Sequence, residues 1–212
     1  MTERPFTLYL ARHGETDYNR RKLMQGRSID ASLNEVGIRQ AEALSGRMAG
    51  ESLDAIYAST LKRAQETADL LASPHQLKPR ILPDLVEMAW GDLEGTPIAD
   101  HTHYLKEVGE AWKAGGFDHQ IGGGESILDV ERRAKAAWAH INQSHSDGQT
   151  AFAVTHGRFM RVLLTVALAD HGLSHMDRFP HSNTGVYRLD RTGSVWKLML
   201  MNCTAHLEVV PQ

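Results

Sequence analysis

The sequence predicts a layered α/β protein with a mostly parallel sheet. Short apolar runs alternate along the chain with longer segments whose apolar residues recur at helical spacing. The run 150–155 is continuously apolar, as the buried strands of parallel sheets are. A chain of 212 residues suits one domain, which we expect to span residues 1–212. These features favour helices packed on a sheet over an all-helical or all-β fold.

Composition excludes several classes of protein. Hydrophobic residues make up 42% of the chain and charged residues 23%, as in ordinary globular domains and unlike disordered or coiled-coil proteins. A formal net charge of −3 argues against nucleic acid as a partner. The chain contains no run of about 18 apolar residues and no signal-peptide pattern, so we expect a soluble, cytoplasmic protein without a membrane partner.

The first half of the chain predicts strands and helices over residues 6–11, 33–50, 54–59, 60–72 and 78–85. For the first of these helices, Asn34 is a suitable N-cap and Gly50 a suitable stop. The last run contains Pro79 and Pro83, and proline is confined to sheet edges because it cannot donate a hydrogen bond to the sheet. We therefore expect the third strand at the edge of the sheet.

The second half predicts further helices and strands over residues 104–113, 125–145, 150–155, 159–169, 185–189 and 195–201. Glycines at 115–116 and 122–124 mark loops between these elements. Met199 and Met201 are expected to be core residues of the last strand. The one cysteine, Cys203, excludes an intrachain disulfide, and without an obvious cationic neighbour we expect its thiol to be unreactive.

Two of the predicted strands end in the same dipeptide. The first strand leads through Arg12 into His13-Gly14, and the fourth leads into His156-Gly157. Ligands of open α/β sheets bind beyond the carboxyl ends of the strands, where the strand order reverses. We therefore expect the two histidines to face one ligand, with glycines that let the backbone approach it closely.

These residue types suit phosphoryl chemistry. A neutral imidazole, which is populated near pH 7, can attack phosphorus and form a covalent intermediate. The guanidinium groups of Arg12 and of Arg63, early in the helix after the second strand, match the oxygens of a phosphoryl group. Taken singly, each residue has a plainer interpretation: His-Gly as a turn, Arg63 as a solvated helix residue, Glu87 as an exposed loop carboxylate. Only the combination of the two histidines, the arginines and Glu87 favours a catalytic site.

A series of motifs runs in order along nearly the whole chain. The motifs are Arg12-His13-Gly14-Glu15-Thr16 with Asn19, Gln25-Gly26, Leu33 to Ala41, Ser59 to Ala68, Glu87 to Gly95, Gly124-Glu125-Ser126 and His156-Gly157. Together they resemble the signature of the histidine phosphatase superfamily, in its phosphoglycerate-mutase-like branch. One departure is Asn34, which stands where that family usually has threonine.

The resemblance implies a three-layer α/β/α sandwich with a mixed, mostly parallel sheet. It also implies metal-free phosphoryl transfer without a cofactor, in which His13 attacks phosphorus and becomes phosphohistidine. Glu87 is implied to donate a proton to the leaving oxygen. The residues implied to hold the phosphoryl group are Arg12, Asn19, Gln25, Gly26, Arg63, His156 and Gly157.

Proton donation by Glu87 near pH 7 requires a carboxyl that is kept protonated. We expect the bulk of Met88 and Trp90, which follow it in the sequence, to remove water from around it. A phosphate dianion beside the carboxyl acts in the same direction, and it also favours a protonated His156 once substrate binds.

The resemblance leaves the activity open between phosphatase and mutase. A phosphatase admits water to the phosphohistidine, whereas a mutase returns the phosphoryl group to an intermediate. The segment 97–124 is short where the resembling mutases carry a larger insertion, and Glu15-Thr16 is commoner in the phosphatases. A phosphomonoesterase for a small phosphorylated metabolite is favoured. A cofactor-dependent phosphoglycerate mutase and a non-catalytic phosphate-binding module on the same fold are the alternatives.

We expect the segment 97–124 to form a short cap over the substrate. Its candidate contacts to the rest of the substrate, for which plain solvation is the alternative, are Asp100, His101, His103, Tyr104, Lys106, Lys113 and His119. Sugar phosphates, phosphoglycerates, nucleotide-type monoesters and phosphoamino acids all remain candidate substrates.

A metal hydrolase is a competing class, since His101 and His103, or His171 and His175, form pairs that invite a metal. Neither pair has the three or four ligands of a typical site, and Gly172 interrupts the second. We therefore expect no metal. The expected partner is a small-molecule phosphomonoester, and a homodimer is a further expectation from the resemblance.

Overall fold

The computed structural model describes residues 4–168 and 171–208. The strands are β1 (Phe6–Arg12), β2 (Ala55–Ala58), β3 (Arg80–Ile81), β4 (Thr150–Thr155), β5 (Val186–Thr192) and β6 (Val195–Cys203). The α-helices are α1 (Asp17–Arg20), α2 (Glu35–Met48), α3 (Lys62–Ala72), α4 (Thr102–Lys113), α5 (Ile127–Gln143) and α6 (Gly157–Ala167). Short 3₁₀ helices lie between them, at Ser73–His75, Pro83–Leu85, Gly91–Leu93, Ile98–His101, Leu173–Arg178 and Ala205–Leu207. None of the described helices is both long and apolar enough to cross a bilayer.

The strands form one mixed sheet in the order β3-β2-β4-β1-β5-β6. The first four strands in the chain run parallel, and β5 and β6 complete the sheet as antiparallel partners. In the centre, β1 pairs with β4, and Arg12 lies opposite Thr155 in the register. His13 and His156, the next residue of each strand, therefore leave the same edge of the sheet side by side.

Helices cover both faces of the sheet, because alternate side chains of a strand point in opposite directions. On β1, Phe6, Leu8 and Leu10 pack into a core with α5 and α6. Tyr9 and Ala11 pack into a second core with α2 and α3. The three-layer α/β/α sandwich implied by the resemblance is confirmed.

Local sequence signals set the helix that starts after the first loop. Asn34 caps α2 by accepting a hydrogen bond from the Gly37 N–H at 2.8 Å, as predicted, a contact of the kind that stabilises a helix by about 1 kcal/mol. Beside this cap, a Cβ on Gly14 would lie 2.5 Å from the Gly37 carbonyl oxygen. The loop after β1 can therefore rest directly on the start of α2 only because both residues are glycines.

The predicted and observed elements differ mainly at their ends. The third strand lies at the sheet edge as predicted, but it shrinks from 78–85 to two residues because a 3₁₀ helix begins at Pro83. Helix α6 starts at Gly157, two residues earlier than expected, because His156 takes the N-cap position. It ends at Ala167, and the predicted end at residue 169 lies outside the described residues.

The prediction that Met199 and Met201 are core residues is wrong. These side chains are 55% and 48% exposed on the edge strand β6. Leu198 packs against the first core and Leu200 against the second, on opposite faces of the sheet, because the pairing of β5 with β6 is irregular between Arg188 and Leu189. The sequence alone could not assign the faces, because this irregularity interrupts the regular alternation of side chains.

Candidate active site

A cavity of about 480 Å³ opens at the carboxyl ends of β1 and β4. The predicted site residues Arg12, Asn19, Gln25, Glu87 and Gly157 line it. Together with the partly exposed Arg12, the buried side chains of His13, Arg63 and His156 form what we call the floor. The cavity lies at the carboxyl edge of the sheet, beside the point where the strand order reverses. Open α/β sheets bind their ligands at such a point.

His13 is held in one tautomer. Its Nδ1 lies 2.7 Å from the Gly14 carbonyl oxygen, which can only accept a proton, so Nδ1 carries the hydrogen. The Arg63 Nε–H donates to Nε2 of His13 at 3.2 Å, which places a lone pair on that nitrogen. Burial holds the pKa of His13 well below its ordinary value, and Arg63 and Arg12 act in the same direction. The ring is therefore neutral, and Nε2 is its unprotonated nitrogen, whose lone pair accepts the Arg63 hydrogen bond in this structure.

His156 lies beside this ring, with 5.1 Å between the two centroids. Its Nε2 is 2.6 Å from the Ser59 hydroxyl oxygen. Its Nδ1 is buried and has no hydrogen-bond partner among the described residues. Burial holds the pKa of His156 well below its ordinary value, with Arg63 and His13 adding to the effect. His156 is therefore protonated only when an anion lies beside it. This agrees with the expectation that a bound phosphate dianion favours the protonated form of His156.

Arg63 is fully buried, so the interpretation as a solvated helix residue is wrong. Its terminal nitrogens donate to the carbonyl oxygens of Ile29 and Gly26, at 2.5 and 3.2 Å. Burial lowers the pKa of Arg63 to about 10, which leaves the guanidinium charged at neutral pH. These contacts fix its position against His13, and they show that Gly26 acts on the site through the arginine.

Arg12 supplies the second positive charge of the floor. One terminal nitrogen donates to the His181 carbonyl oxygen at 3.1 Å, whereas its buried Nε has no partner among the described residues. Burial lowers the pKa of Arg12, and the charge of Glu87 opposes that shift. An unpartnered donor on a buried cation is expensive in free energy unless an anion binds there.

The polar side of the cavity is a network of amides. The Gln25 Oε1 accepts hydrogen bonds from the Thr16 hydroxyl at 2.9 Å and from the Asn19 Nδ2 at 3.4 Å. The Nε2 of Gln25 is buried without a partner in the described part of the chain. Asn183, which the sequence argument missed, donates to the His13 carbonyl oxygen at 2.9 Å and to the Asn19 Oδ1 at 3.3 Å. Because hydrogen bonds from Thr16 and Asn19 fix the Gln25 Oε1, the Nε2 of this amide is left to donate a hydrogen bond to a ligand.

Glu87 is buried, with 6% of its surface exposed, so it is not the exposed loop carboxylate of the plainer interpretation. Its Oε1 accepts from the N–H groups of Met88 and Phe159, at 2.8 and 3.0 Å. Its Oε2 accepts from the N–H of Arg158 at 3.2 Å. The expected loss of water is therefore accompanied by three backbone N–H donors, which fix the position of the carboxyl group.

A partly buried ion pair supports the Glu87 loop on the side away from the cavity, and it was not predicted from the sequence. Arg133 on α5 donates to the carbonyl oxygens of Asp84 and Val86, at 3.0 and 2.9 Å. The same guanidinium pairs with Glu125 at 2.9 and 3.0 Å. The other Glu125 contact on this loop is the N–H of Ala89 at 2.9 Å. The sequence feature that could have indicated this ion pair was the Gly124-Glu125-Ser126 motif.

The side of the cavity away from the floor is mostly apolar, and we call it the wall. Its lining residues are Leu23, Met24, Trp90, Ile98, Leu105, Gly109 and Trp112. Residues from the segment 97–124 do face the cavity, but none of the seven polar candidates lines it. For example, His103 is exposed and pairs with Glu107 at 3.3 Å. Solvation was the better interpretation for the five that are exposed, whereas His101 and Tyr104 are partly buried against other protein groups.

Within the described residues, no group of three or more His, Cys, Asp or Glu side chains converges as a metal site would. His101 instead lies 2.7 Å from the Thr96 hydroxyl oxygen. The expectation for Cys203 needs correction, because Arg47 approaches its Sγ to 3.3 Å. A backbone hydrogen bond from Ala205, followed by Arg47, lowers the pKa of the Cys203 thiol. That arginine lies far away in the sequence and is brought near only by the fold.

Comparison with known proteins agrees with the motif series. The sequence profile of the histidine phosphatase superfamily (branch 1) matches residues 8–204, and the chain belongs to this superfamily. It is 30% identical over 204 residues to phosphoglycerate mutase-like protein 4 of Arabidopsis thaliana, covering 95% of this chain and 86% of the relative. It is 36% identical over 162 residues to a metal-independent phosphoserine phosphatase of the same plant, covering 74% and 66%.

The solved structures include an α-ribazole phosphatase from Shigella flexneri, which superposes with a TM-score of 0.81 at 28% identity. The match covers 94% of this chain and 98% of that one. The predicted family, fold and enzyme class, a histidine phosphatase acting on phosphomonoesters, are therefore confirmed.

Proposed function

We propose that this protein is a metal-independent phosphomonoesterase that hydrolyses a small phosphorylated metabolite through a phosphohistidine on His13. The observation that carries the proposal is the fixed tautomer of His13. Its Nδ1–H is held by the Gly14 carbonyl, and its Nε2 lone pair faces Arg63 in a buried, cationic floor. Once a phosphoryl oxygen takes over the Arg63 donor, the Nε2 lone pair of this neutral imidazole can attack phosphorus.

In the first half-reaction, Nε2 of His13 forms a bond to phosphorus as the bond from phosphorus to the ester oxygen breaks. The leaving oxygen takes its proton from Glu87, so that an alcohol departs and a carboxylate remains. The phosphoryl oxygens receive hydrogen bonds from Arg12, Arg63 and protonated His156. Two fixed guanidinium charges and buried donors stabilise charge on the transferring group without reorganisation.

In the second half-reaction, the Glu87 carboxylate takes a proton from water as the water oxygen attacks phosphorus. The bond from phosphorus to Nε2 breaks, inorganic phosphate leaves, and both His13 and Glu87 return to their starting forms. The net reaction consumes one water and converts a phosphomonoester into an alcohol and phosphate. The three backbone N–H groups that donate to Glu87 support this step, because they hold its carboxyl group in a fixed position.

Metal independence rests on the two cations of the floor. Arg12 and Arg63 stand where a phosphatase of another class would need divalent ions to neutralise the phosphoryl charge. The relative named as a metal-independent phosphoserine phosphatase supports this assignment. We therefore propose that activity requires neither a metal nor a cofactor.

The test is phosphate release from a panel of phosphomonoesters, with and without EDTA and with and without 2,3-bisphosphoglycerate. We expect release of free phosphate that needs no bisphosphate and survives EDTA. Rapid quenching with ³²P-labelled substrate should place label on His13. Isomerisation of a phosphoglycerate without phosphate release would instead establish the mutase alternative. That alternative is tested because one relative is named phosphoglycerate mutase-like protein 4. Loss of activity in EDTA would contradict metal independence, and absence of any turnover would favour the binding-module alternative.

A further inference from the structure

We infer that the alcohol part of the substrate ends in an apolar ring that binds against the wall, rather than in a second acid group. This inference rests on the proposed function and deepens it, because it assigns the part of the substrate beyond the phosphoryl group. A cavity of about 480 Å³ leaves most of its space free once a phosphoryl group occupies the floor.

One face of helix α4 builds the part of the wall beside Trp90, whose ring centroid lies 6.5 Å from that of Trp112. Leu105, Gly109 and Trp112 are spaced by four and three residues, which places them on the same side of a helix. All three line the cavity. The charged residues Lys106, Glu110 and Lys113 lie on other faces and do not line it. The helix thus presents an apolar surface to the cavity and a polar one elsewhere.

Gly109 is the most informative residue of this face. Glycine inside a helix costs about 1 kcal/mol relative to alanine. No atom lies within 4 Å of the place where a Cβ would stand, so packing against protein does not require glycine here. Because the residue lines the cavity, the missing side chain enlarges the space in which a ligand can lie against the wall.

The charges of the cavity argue against a second phosphate or a carboxylate on the substrate. Apart from Arg12 and Glu87, the charged side chains that line the described cavity are Glu15, Arg158 and Asp177. Arg158 already pairs with Asp177 at 2.7 Å. Its guanidinium also lies over the Trp112 ring, 4.8 Å from the centroid. Glu15 and Asp177 are paired as well, with Arg20 and with both Arg158 and Arg161. Beyond Arg12, a second anion would therefore find no lining cation that lacks a carboxylate partner, whereas an apolar ring would lose no hydrogen bonds there.

The first test compares three primary phosphate esters that differ only in the tail: 3-phenylpropyl phosphate, glycerol 3-phosphate and 3-phosphoglycerate. The chemical step is the same for all three, so kcat/KM reports how the tail binds. We expect 3-phenylpropyl phosphate to exceed each of the others by about tenfold or more, the effect of burying a ring-sized apolar group. A preference for 3-phosphoglycerate would overturn the inference.

The second test fills the space in the wall. Gly109→Leu should lower kcat/KM for 3-phenylpropyl phosphate about tenfold more than it lowers kcat/KM for glycerol 3-phosphate. Gly46→Leu is the matched control, because Gly46 lies inside α2 and its Cβ would also meet no atom within 4 Å. We expect the control to leave both substrates unchanged. An unaltered ratio in Gly109→Leu would overturn the inference, and Gly109→Ala provides a smaller change if the leucine variant does not fold.

Binding of the unreactive analogue 3-phenylpropylphosphonate, measured by calorimetry, separates the two proposals. If no ester is hydrolysed but the phosphonate binds and Gly109→Leu weakens it at least about tenfold, the inference holds and the proposed function fails. If all three esters are hydrolysed without preference, the function holds and the inference fails. Phosphonate binding that is no tighter than that of inorganic phosphate also contradicts the inference.

Discussion

The floor and the wall of the cavity are built in different ways. The floor collects Arg12, His13, Arg63 and His156 from two strand ends and a helix, and all four are fixed by contacts inside the protein. The wall takes three of its residues from one face of α4, whose remaining surface is solvated. Charged groups need exact neighbours when they are buried, whereas an apolar surface needs only the right shape.

The difference teaches where chemistry and selectivity reside in this molecule. Moving any floor residue would leave a buried charge or polar atom without its partner. Changing a side chain on α4 alters the shape of the cavity and touches no floor residue. We therefore expect floor substitutions to affect every substrate alike and wall substitutions to affect substrates according to their tails. The following predictions test that contrast, in order of decreasing effect.

His13→Ala is expected to lower kcat by about a thousandfold or more for every substrate, because the covalent intermediate can no longer form. Steady-state phosphate release with alkyl and aryl esters is the measurement. The control is His103→Ala, since that imidazole is 89% exposed and outside the cavity. A folded His13→Ala protein with a near-normal rate would exclude His13 as the nucleophile.

Glu87→Gln is expected to lower kcat about a hundredfold for primary alkyl phosphates and much less for p-nitrophenyl phosphate. An alkoxide must be protonated as it leaves, whereas nitrophenolate leaves unaided. The ratio of the two rates is the informative quantity, since it cancels any general loss of folded enzyme. Equal losses on both substrates would show that Glu87 is not the proton donor.

Arg133→Gln is expected to act through Glu87, because Arg133 positions the Glu87 loop without lining the cavity. Breaking its pair with Glu125 should cost about 2 kcal/mol of unfolding free energy, less than for a fully buried pair, because both side chains are partly exposed and Arg27 still pairs with Glu125 at 2.7 Å. The alkyl rate should fall more than the aryl rate, as in Glu87→Gln, but by a smaller factor.

Arg132→Gln is the matched control for this position. Arg132 is the preceding residue on α5, its side chain is 76% exposed, and its pair with Asp129 is a surface contact. We expect it to change the free energy of unfolding by no more than about 0.5 kcal/mol. A purely structural role for Arg133 would lower stability and leave the alkyl-to-aryl ratio untouched.

The smallest predicted effect is on the pH dependence of stability. Burial lowers the pKa of His206 to about 4, and it holds the pKa values of His13 and His156 well below 6.5. Below pH 6.5 these histidines bind protons in the unfolded chain but stay neutral in the folded chain. The free energy of unfolding therefore falls as pH falls. Each such group contributes up to about 1.4 kcal/mol per pH unit.

Denaturant unfolding between pH 7 and pH 4.5 measures this slope. For His206 the contribution is complete above pH 6.5 and is lost as pH falls towards about 4. His206→Gln should therefore give a shallower slope than the wild type while leaving turnover at pH 7 unchanged. A steeper or identical slope would contradict the assignment of His206 as a buried neutral group.

Sequence reasoning reached most of the floor. His13 and His156 could be predicted because strand ends of parallel sheets share an edge, and Arg12 precedes one of them. Arg63 was proposed as a second cation from its place early in the helix after the second strand, and its burial against His13 could not have been foreseen from a helical segment alone. Ser59 and Glu125 stood inside quoted motifs without an assigned role, since their partners lie far away in the chain.

The cap segment shows where sequence reasoning failed. Polar residues such as His103 and Lys106 attracted attention because they can bind ligands, yet α4 turns them away from the cavity. Leu105, Gly109 and Trp112 face it instead. The rotation of a helix about its axis depends on which residues the neighbouring elements bury, and an isolated segment with apolar and polar faces does not reveal what lies opposite each face.

By itself, the sequence determined the family, the alternation of strands and helices, and the two imidazoles and two guanidinium groups of the floor. These follow from local periodicity and from motifs whose residue types carry the chemistry. Only the tertiary structure decided the His13 tautomer, the Arg133 support of the Glu87 loop, the cation beside Cys203 and the apolar wall. Each of these depends on contacts between distant segments, and such contacts arise only when the chain packs into its cores.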